Sequence, residues 1–164
     1  MINTTQPMYS NNFIKKILKN TISIAIVGLS EKENRPSYFA AKYLQNKGYK
    51  IIPVNPITKR RTILKEKVFK YLADLEQTPD MIDLFVKQDK VRVLVEESLK
   101  IYPKTIWLQL GLTDFAGEKK AKEIGVNFIM NKCPKIEYAR FAGELGWAGI
   151  NSNVISNQKI LLKK

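Results

Sequence analysis

The chain has 164 residues, of which 45% are hydrophobic, a length and composition typical of one folded domain rather than of a disordered chain. Lys and Arg total 28 against 15 for Asp and Glu, and the resulting net charge of +13 favours anionic partners such as nucleotides, nucleic acid or acidic membrane surfaces. Because histidine is absent and cysteine occurs once, histidine-ligated metal sites, histidine-dependent triads or dyads and internal disulfides are excluded.

The first twenty residues are expected to form an N-terminal extension with a short amphipathic helix. Phe13, Ile14, Ile17 and Leu18 recur there at helical spacing. The apolar run that follows, residues 22–29, is too short to cross a membrane, and no signal-peptide layout is recognisable before it. A single cysteine also suits a reducing compartment, so we expect a soluble, cytoplasmic protein.

Apolar, β-branched segments then alternate with amphipathic segments along the chain. Proline at a first helical position and glycine just after a helix mark several boundaries. A basic loop, residues 59–67, and a short amphipathic stretch, residues 68–75, interrupt the alternation. The predicted strands are residues 22–27, 49–54, 81–86, 105–110 and 126–130. The predicted helices run from Pro36 to Gly48, from a cap at Asp89 past Leu99, from Thr113 or Asp114 to Gly125, and from Pro134 to about Ala142.

Five strand-and-helix alternations predict a Rossmann-like, doubly wound α/β fold. Right-handed crossovers would give a mainly parallel five-stranded sheet with helices on both faces. We expect this domain to span residues 21–156 and to be followed by a basic C-terminal tail, residues 157–164. In such sheets ligands bind outside the carboxyl ends of the strands, so the segments that follow the strands are the candidate site.

The glycine turn after the first strand differs from a nicotinamide dinucleotide fingerprint. Ser30 and Glu33 occupy the second and third glycine positions, and Asn55 replaces the acidic residue expected after the second strand. An amide followed by the basic loop fits a phosphorylated ribose better than a free diol. The alternative interpretation, which spacing alone leaves open, is that Gly28 is a simple turn glycine and the loop an ordinary solvated surface.

Six stretches of the sequence together form a recognisable set of motifs: IAIVGLS (24–30), RPSY (35–38), GYKIIPVNP (48–56), WLQLG (107–111), MNKCPKIE (130–137) and GWAGINSNVIS (146–156). In this order they cover nearly the whole chain, residues 22–156. The set resembles the CoA-binding protein family, small relatives of the CoA-binding domain in the α subunit of succinyl-CoA synthetase.

The resemblance implies that CoA lies across the carboxyl ends of the strands. It places the pyrophosphate near Gly28, Ser30 and Ser37, with Arg35 as a nearby basic contact. It directs Asn55 and the loop containing Lys59 and Arg60 toward the adenosine and its 3′-phosphate. The remaining positions that it assigns are Phe85, Val86 and Lys87 beside the adenine or pantetheine arm, and Gln109 and Gly111 along the floor.

Cys133 admits two interpretations. It follows the fifth strand, within expected reach of a pantetheine thiol, and neighbouring lysines at 132 and 135 favour a thiolate that forms a mixed disulfide or senses redox state. The alternative is a small, buried apolar filler, the more frequent role of a free cysteine.

Three functions follow, in order of preference. The first is binding of CoA or an acyl-CoA without intrinsic catalysis, since the phosphohistidine route of succinyl-CoA synthetase needs a histidine; a protein partner or a homodimer stays open. The second is an NAD(P)-dependent oxidoreductase, which Asn55 disfavours. The third is a nucleic-acid-binding protein, ranked last because aromatic residues are not interleaved with the basic ones.

Overall fold

A single parallel sheet organises the molecule in the computed structural model, which describes residues 8–144. Its strand order is β2-β1-β5-β6-β7, and every neighbouring pair is parallel, as predicted. The short strands β3 and β4 form a separate antiparallel hairpin. The strands are β1 (Ser23–Val27), β2 (Lys50–Val54), β3 (Thr62–Ile63), β4 (Glu66–Lys67), β5 (Met81–Leu84), β6 (Thr105–Leu108) and β7 (Asn127–Ile129).

Helices cover both faces of the sheet, which confirms the doubly wound fold class. On one face α1, α2 and α5 pack over a core that includes Ile24, Ile26 and the fully buried Trp107. On the other face α3 and α4 pack over Ala25, Ile82 and Leu108. The helices are α1 (Asn11–Asn20), α2 (Pro36–Asn46), α3 (Gln88–Lys100), α4 (Phe115–Glu123), α5 (Pro134–Arg140) and α6 (Ala142–Glu144).

Local sequence signals explain most helix boundaries. Ser10 caps α1 by accepting a hydrogen bond from the Phe13 amide, and Asp114 caps α4 by accepting one from the Gly117 amide. Proline occupies the first position of α2 and α5, where its missing N–H costs no hydrogen bond. The predicted stop of α2 at Gly48 is confirmed by a φ of +105°.

Two local predictions, the cap of α3 and the ends of two strands, were wrong. Asp89 does not cap α3: Lys87 holds the cap position, and Asp89 lies in the first turn, where its charge favours the helix dipole. In the amphipathic stretch 68–75, for which neither a helix nor a strand was predicted, residue 69 pairs with the end of β2 and Leu72–Asp74 forms a short 3-10 helix. The strands predicted to reach Val86 and Leu110 end two residues earlier, where the backbone turns into the connecting loops.

No helix of the described residues is long and apolar enough to cross a membrane. The predicted domain end at residue 156, the stretch 146–156 and the basic tail 157–164 lie outside the described residues.

Candidate ligand site

The order of the strands in the sheet reverses between β1 and β5, and the candidate site lies at the carboxyl ends of these strands. From β1 the chain goes outward to β2, then returns to pair β5 on the other side of β1. The loops after β1 and β5 therefore leave the sheet in opposite lateral directions and open a crevice between them. The structure places the sequence-predicted residues along this edge.

Gly28 is the residue on which this edge depends. Its φ is +88°, and a Cβ added there would meet the carbonyl oxygen of Phe85 at 2.1 Å, a distance that no side chain tolerates. Its amide donates to the Val54 carbonyl at 2.8 Å, while the Phe85 amide donates to the Val27 carbonyl at 2.8 Å. Gly28 thus lets the loops after β1, β2 and β5 close against one another, more than a simple turn requires.

Hydroxyl groups organise the loop between β1 and α2. The Ser30 amide donates to Oγ of Ser37 at 3.0 Å, and the Lys32 amide donates to Oγ of Ser30 at 3.1 Å. Ser37 is buried in the first turn of α2, while Arg35 at the cap position is exposed. The positive end of the α2 dipole, an exposed guanidinium and these hydroxyls together form a surface suited to an anion.

Asn55 joins the loops that follow β1 and β2. Its Nδ2 donates to the Leu29 carbonyl at 2.8 Å, and its Oδ1 accepts from the amides of Ile57 and Thr58 at 2.8 and 3.0 Å. The side chain therefore shapes the start of the basic loop, because both ends of its amide bind protein backbone. This positioning role was not foreseen from the sequence.

The basic loop lies beside the β1 loop and is exposed to solvent. Lys59 and Arg60 are both exposed, and the Arg60 guanidinium pairs with Glu31 at 3.1 Å. Since this pair is largely solvated, it exchanges readily with a competing anion. The loop thus presents cationic groups at the β2 end of the crevice.

The residues after β5 form the opposite side of the crevice. Phe85 and Val86 are half-buried, and Cγ1 of Val86 would lie 3.4 Å from a Cβ at Gly28. Lys87 is exposed at the cap position of α3. An apolar pair followed by an ammonium group fits a ligand that has both apolar and anionic parts.

Farther along the edge, Gln109 and Gly111 follow β6. The Gly111 amide donates to Oδ1 of Asn131 at 2.7 Å, which ties the loops after β6 and β7 together. Gln109 is 7% exposed, and its Nε2 donates to both carboxylate oxygens of Asp83, at 2.8 and 3.0 Å. The Gln109 side chain is therefore directed into the protein beneath the edge.

Asp83 is the residue of this region that sequence reasoning missed. It is fully buried in β5, where Ile26 and Trp107 are its neighbours on the adjoining strands. Desolvation raises the pKa of its carboxyl to about 8, and the hydrogen bond from Gln109 opposes that rise only in part. One acidic residue within the apolar segment 81–86 was the available signal.

Cys133 lies at the cap position of α5 and is buried. Desolvation raises the pKa of its thiol, the nearby Asp83 charge raises it further, and hydrogen bonds from the first turn of α5 and from Gln109 lower it. The indole Nε1 of Trp107 donates to the Lys132 carbonyl at 2.8 Å and fixes the preceding loop. Burial thus favours the protonated thiol, against the thiolate that the neighbouring lysines suggested.

The CoA binding domain model matches residues 22–139, a range that contains all five strands of the parallel sheet. The uncharacterized protein YneT of Bacillus subtilis (strain 168) is 33% identical over 126 residues, which are 77% of this chain and 92% of YneT. A hypothetical protein from Pyrococcus horikoshii OT3 is 32% identical with a TM-score of 0.77, covering 87% of this chain and all of that one. The structure of cell-free ID.343 from Thermus thermophilus is 27% identical with a TM-score of 0.75, covering 80% of this chain and 98% of that one. The chain therefore belongs to the CoA binding domain family.

Proposed function

We propose that this protein binds CoA or an acyl-CoA at the carboxyl edge of its sheet and that it acts by recognition rather than by catalysis. The observation that carries the proposal is the family match over residues 22–139. A carrier, sensor or regulator for the ligand fits this role, in the reducing, cytoplasmic compartment that a lone cysteine suggests.

The anionic groups of CoA would occupy two places. The pyrophosphate would lie at the start of α2, where the helix dipole, Arg35 and the hydroxyls of Ser30 and Ser37 favour negative charge. The 3′-phosphate would lie against Lys59 and Arg60, with the phosphate displacing the solvated Glu31 carboxylate from Arg60.

The apolar and neutral parts of CoA would cross the crevice toward β6. Phe85 and Val86 supply apolar surface on that side, and Lys87 adds a cation at its rim. The space beside Gly111 is open, because no atom lies within 4 Å of the position that a Cβ would take there. Gln109 would support this floor from below rather than touch the ligand, because its amide is bonded to Asp83.

The NAD(P)-dependent alternative has less support. A nicotinamide dinucleotide domain uses a carboxylate after its second strand to accept hydrogen bonds from the ribose hydroxyls. Here Asn55 holds that position, and its Oδ1 already accepts two backbone amides.

Calorimetric titration of the whole chain with CoA, dephospho-CoA and NAD at fixed salt tests the proposal. The double variant Lys59→Glu, Arg60→Glu is expected to weaken CoA about tenfold or more, which is about 1.4 kcal/mol, and to leave dephospho-CoA nearly unchanged. The matched control is Lys100→Glu, Lys119→Glu, which makes the same change of net charge on α3 and α4.

The outcomes are distinct. Equal losses of affinity for CoA and dephospho-CoA in the double variant would refute the role of the basic loop in binding the 3′-phosphate. That result would not contradict the proposal that the wild-type protein binds CoA. Absence of CoA binding by the folded wild-type protein, or NAD binding in its place, would refute the proposed function itself.

A further inference from the structure

Among the described helices, the two layers that cover the sheet differ in net charge, and one of them is strongly positive. Helices α1, α2 and α5, with the residue that follows α2, contain seven cationic residues and one acidic residue, Glu137. Helices α3 and α4 contain six cationic and five acidic residues, so their charges nearly balance. We call the first group the basic layer; its cations are Lys15, Lys16, Lys19, Lys42, Lys47, Lys135 and Arg140.

The two helical layers also differ in the carboxylates that they offer to their own cations. Carboxylates of α3 and α4 bind neighbouring cations: Lys120 pairs with Glu96, and Lys122 with Glu118. In the basic layer the one carboxylate, Glu137, is buried and accepts a hydrogen bond from Arg140 at 2.9 Å. The three helices of this layer therefore offer the lysines of α2 and α5 no second carboxylate, and an external polyanion would supply the missing negative charge.

Aromatic rings hold some of these cations at the seams between helices. At the seam of α2 and α5, the ammonium groups of Lys47 and Lys135 lie 5.4 and 5.8 Å from the ring centroid of Tyr43. Near the end of α5, Lys15 of α1 and Arg140 lie 5.0 and 4.1 Å from the ring centroid of Phe141. Cation–π contacts let two like charges share one ring and restrict their side chains before any partner binds.

The layer forms a continuous surface because α5 packs against both α2 and α1. The Arg140 guanidinium also donates a hydrogen bond to Oδ1 of Asn11 at 3.0 Å, across the seam between α5 and α1. With helices packed roughly 8–10 Å apart, the cations cover a patch about 20 Å across. The exposed residues of the layer include Asn12, Lys16 and Lys42.

We propose that the basic layer binds the phosphate backbone of a nucleic acid without reading its sequence. Lysine ammonium groups and asparagine amides are the donors that contact phosphate and sugar oxygens. The exposed large apolar side chains of this layer, Phe39 and Ile136, belong to the beginnings of α2 and α5 beside the ligand crevice. The outward positions of α1 offer lysine and asparagine instead, which fits a polyanion in water better than an acidic lipid surface.

The dispersion of these residues in the sequence hid this surface. The cations of the layer lie on three helices separated by strands and loops, so no run of basic residues interleaved with aromatic residues is visible. The fold brings them together because α1, α2 and α5 pack on the same face of the sheet.

The test is fluorescence anisotropy of a labelled 24-base-pair duplex of random sequence, titrated with the full chain from 20 to 200 mM KCl. Removal of one cation that binds a phosphate is expected to reduce the slope of log affinity against log salt by about 0.9. The triple variant Lys16→Glu, Lys42→Glu, Lys135→Glu removes one cation from each helix of the layer. It is expected to bind the duplex at least tenfold more weakly and with a visibly shallower slope.

The matched control is Lys90→Glu, Lys100→Glu, Lys119→Glu, on α3 and α4, which makes the same change of net charge. Circular dichroism of both triple variants checks that each is folded before its binding is compared. Equal weakening by both triple variants would indicate an effect of net charge and would overturn the proposal. Absence of duplex binding by the wild type at 50 mM KCl would also overturn it.

Two further arms separate the alternatives. Vesicles of phosphatidylserine and phosphatidylcholine are titrated in parallel, and tighter binding to vesicles than to the duplex, abolished in the layer triple, would assign the surface to membranes instead. Saturating CoA is expected to leave duplex binding unchanged, whereas competition would place the duplex in the crevice and overturn the layer as its site. The comparison of the two triple variants does not depend on whether CoA binds.

Discussion

The burial of the Asp83 carboxyl leads to a quantitative prediction for the pH dependence of the free energy of unfolding. Its pKa is raised from 3.8 to about 8 because burial in β5 removes it from water, and the hydrogen bond from Gln109 lowers the pKa only in part. Between about pH 4 and pH 8 the folded protein thus holds a proton on Asp83 that the unfolded chain has released. Unfolding releases this proton, so the free energy of unfolding falls as the pH rises through this window.

The magnitude follows from the size of the shift. One pKa unit corresponds to about 1.4 kcal/mol, so the contribution falls by about 1.4 kcal/mol for each pH unit. From pH 5 to pH 8 the loss is on the order of 4 kcal/mol, a large part of the roughly 5–15 kcal/mol that stabilises a typical domain. Above pH 8 the contribution becomes constant, because Asp83 is then ionised in both states.

The variant Asp83→Asn isolates this effect, since the amide has nearly the same shape and does not ionise. Urea unfolding between pH 5 and pH 9 is followed by tryptophan fluorescence, to which the buried Trp107 beside Asp83 contributes. Relative to the variant, the wild type is expected to lose about 1.4 kcal/mol per pH unit up to pH 8.

The control is Asp89→Asn, which removes an exposed carboxylate from the first turn of α3. Its pH profile is expected to run parallel to that of the wild type. A constant difference between the wild type and Asp83→Asn from pH 5 to pH 8 would refute the reasoning, because Asp83 would then be ionised in the folded protein throughout that range.

Three other predictions concern the carboxyl edge. Gly28→Ala is expected to lower the free energy of unfolding by about 3 kcal/mol or more, because the added Cβ meets the Phe85 carbonyl. The control Gly125→Ala, at a φ of +78° with open space around it, is expected to lower it by about 1 kcal/mol, and equal losses in urea unfolding would contradict the clash. Asn55→Ala removes the side-chain link between two loops and is expected to cost about 1–3 kcal/mol and to increase proteolysis of the basic loop, while unchanged cleavage would contradict the link. At pH 8 Cys133 is expected to react with iodoacetamide at least tenfold more slowly in the folded protein than in the urea-unfolded protein, because burial raises the pKa of its thiol. Similar reaction rates in the two states would contradict that burial.

Much of the fold was predictable because its elements are periodic and punctuated. The apolar strand segments, the prolines at positions 36 and 134 and the glycines at positions 48 and 125 are local signals, and each marked an observed boundary. The hairpin β3–β4 was not predicted, because two-residue strands have no period to detect. Asp89 was misplaced as a cap since its neighbour Lys87 takes the extended conformation required there.

The candidate site was predictable only in its position. Parallel strands bring their carboxyl ends to one edge, so the sequence alone placed residues 28, 55, 109 and 133 at that edge. It did not predict that Asn55 would use its amide to hold two loops, because that bond joins residues far apart in the chain.

The sequence by itself determined the order of strands and helices, the apolar face of each and the family to which the chain belongs. These properties depend on residue type and on spacing within short segments. The tertiary structure decided the contact of Gly28 with Phe85, the burial of Asp83 beneath the crevice and the gathering of cations on one helical layer. Each of those depends on which surfaces meet when the helices and strands pack, and local spacing does not contain that information.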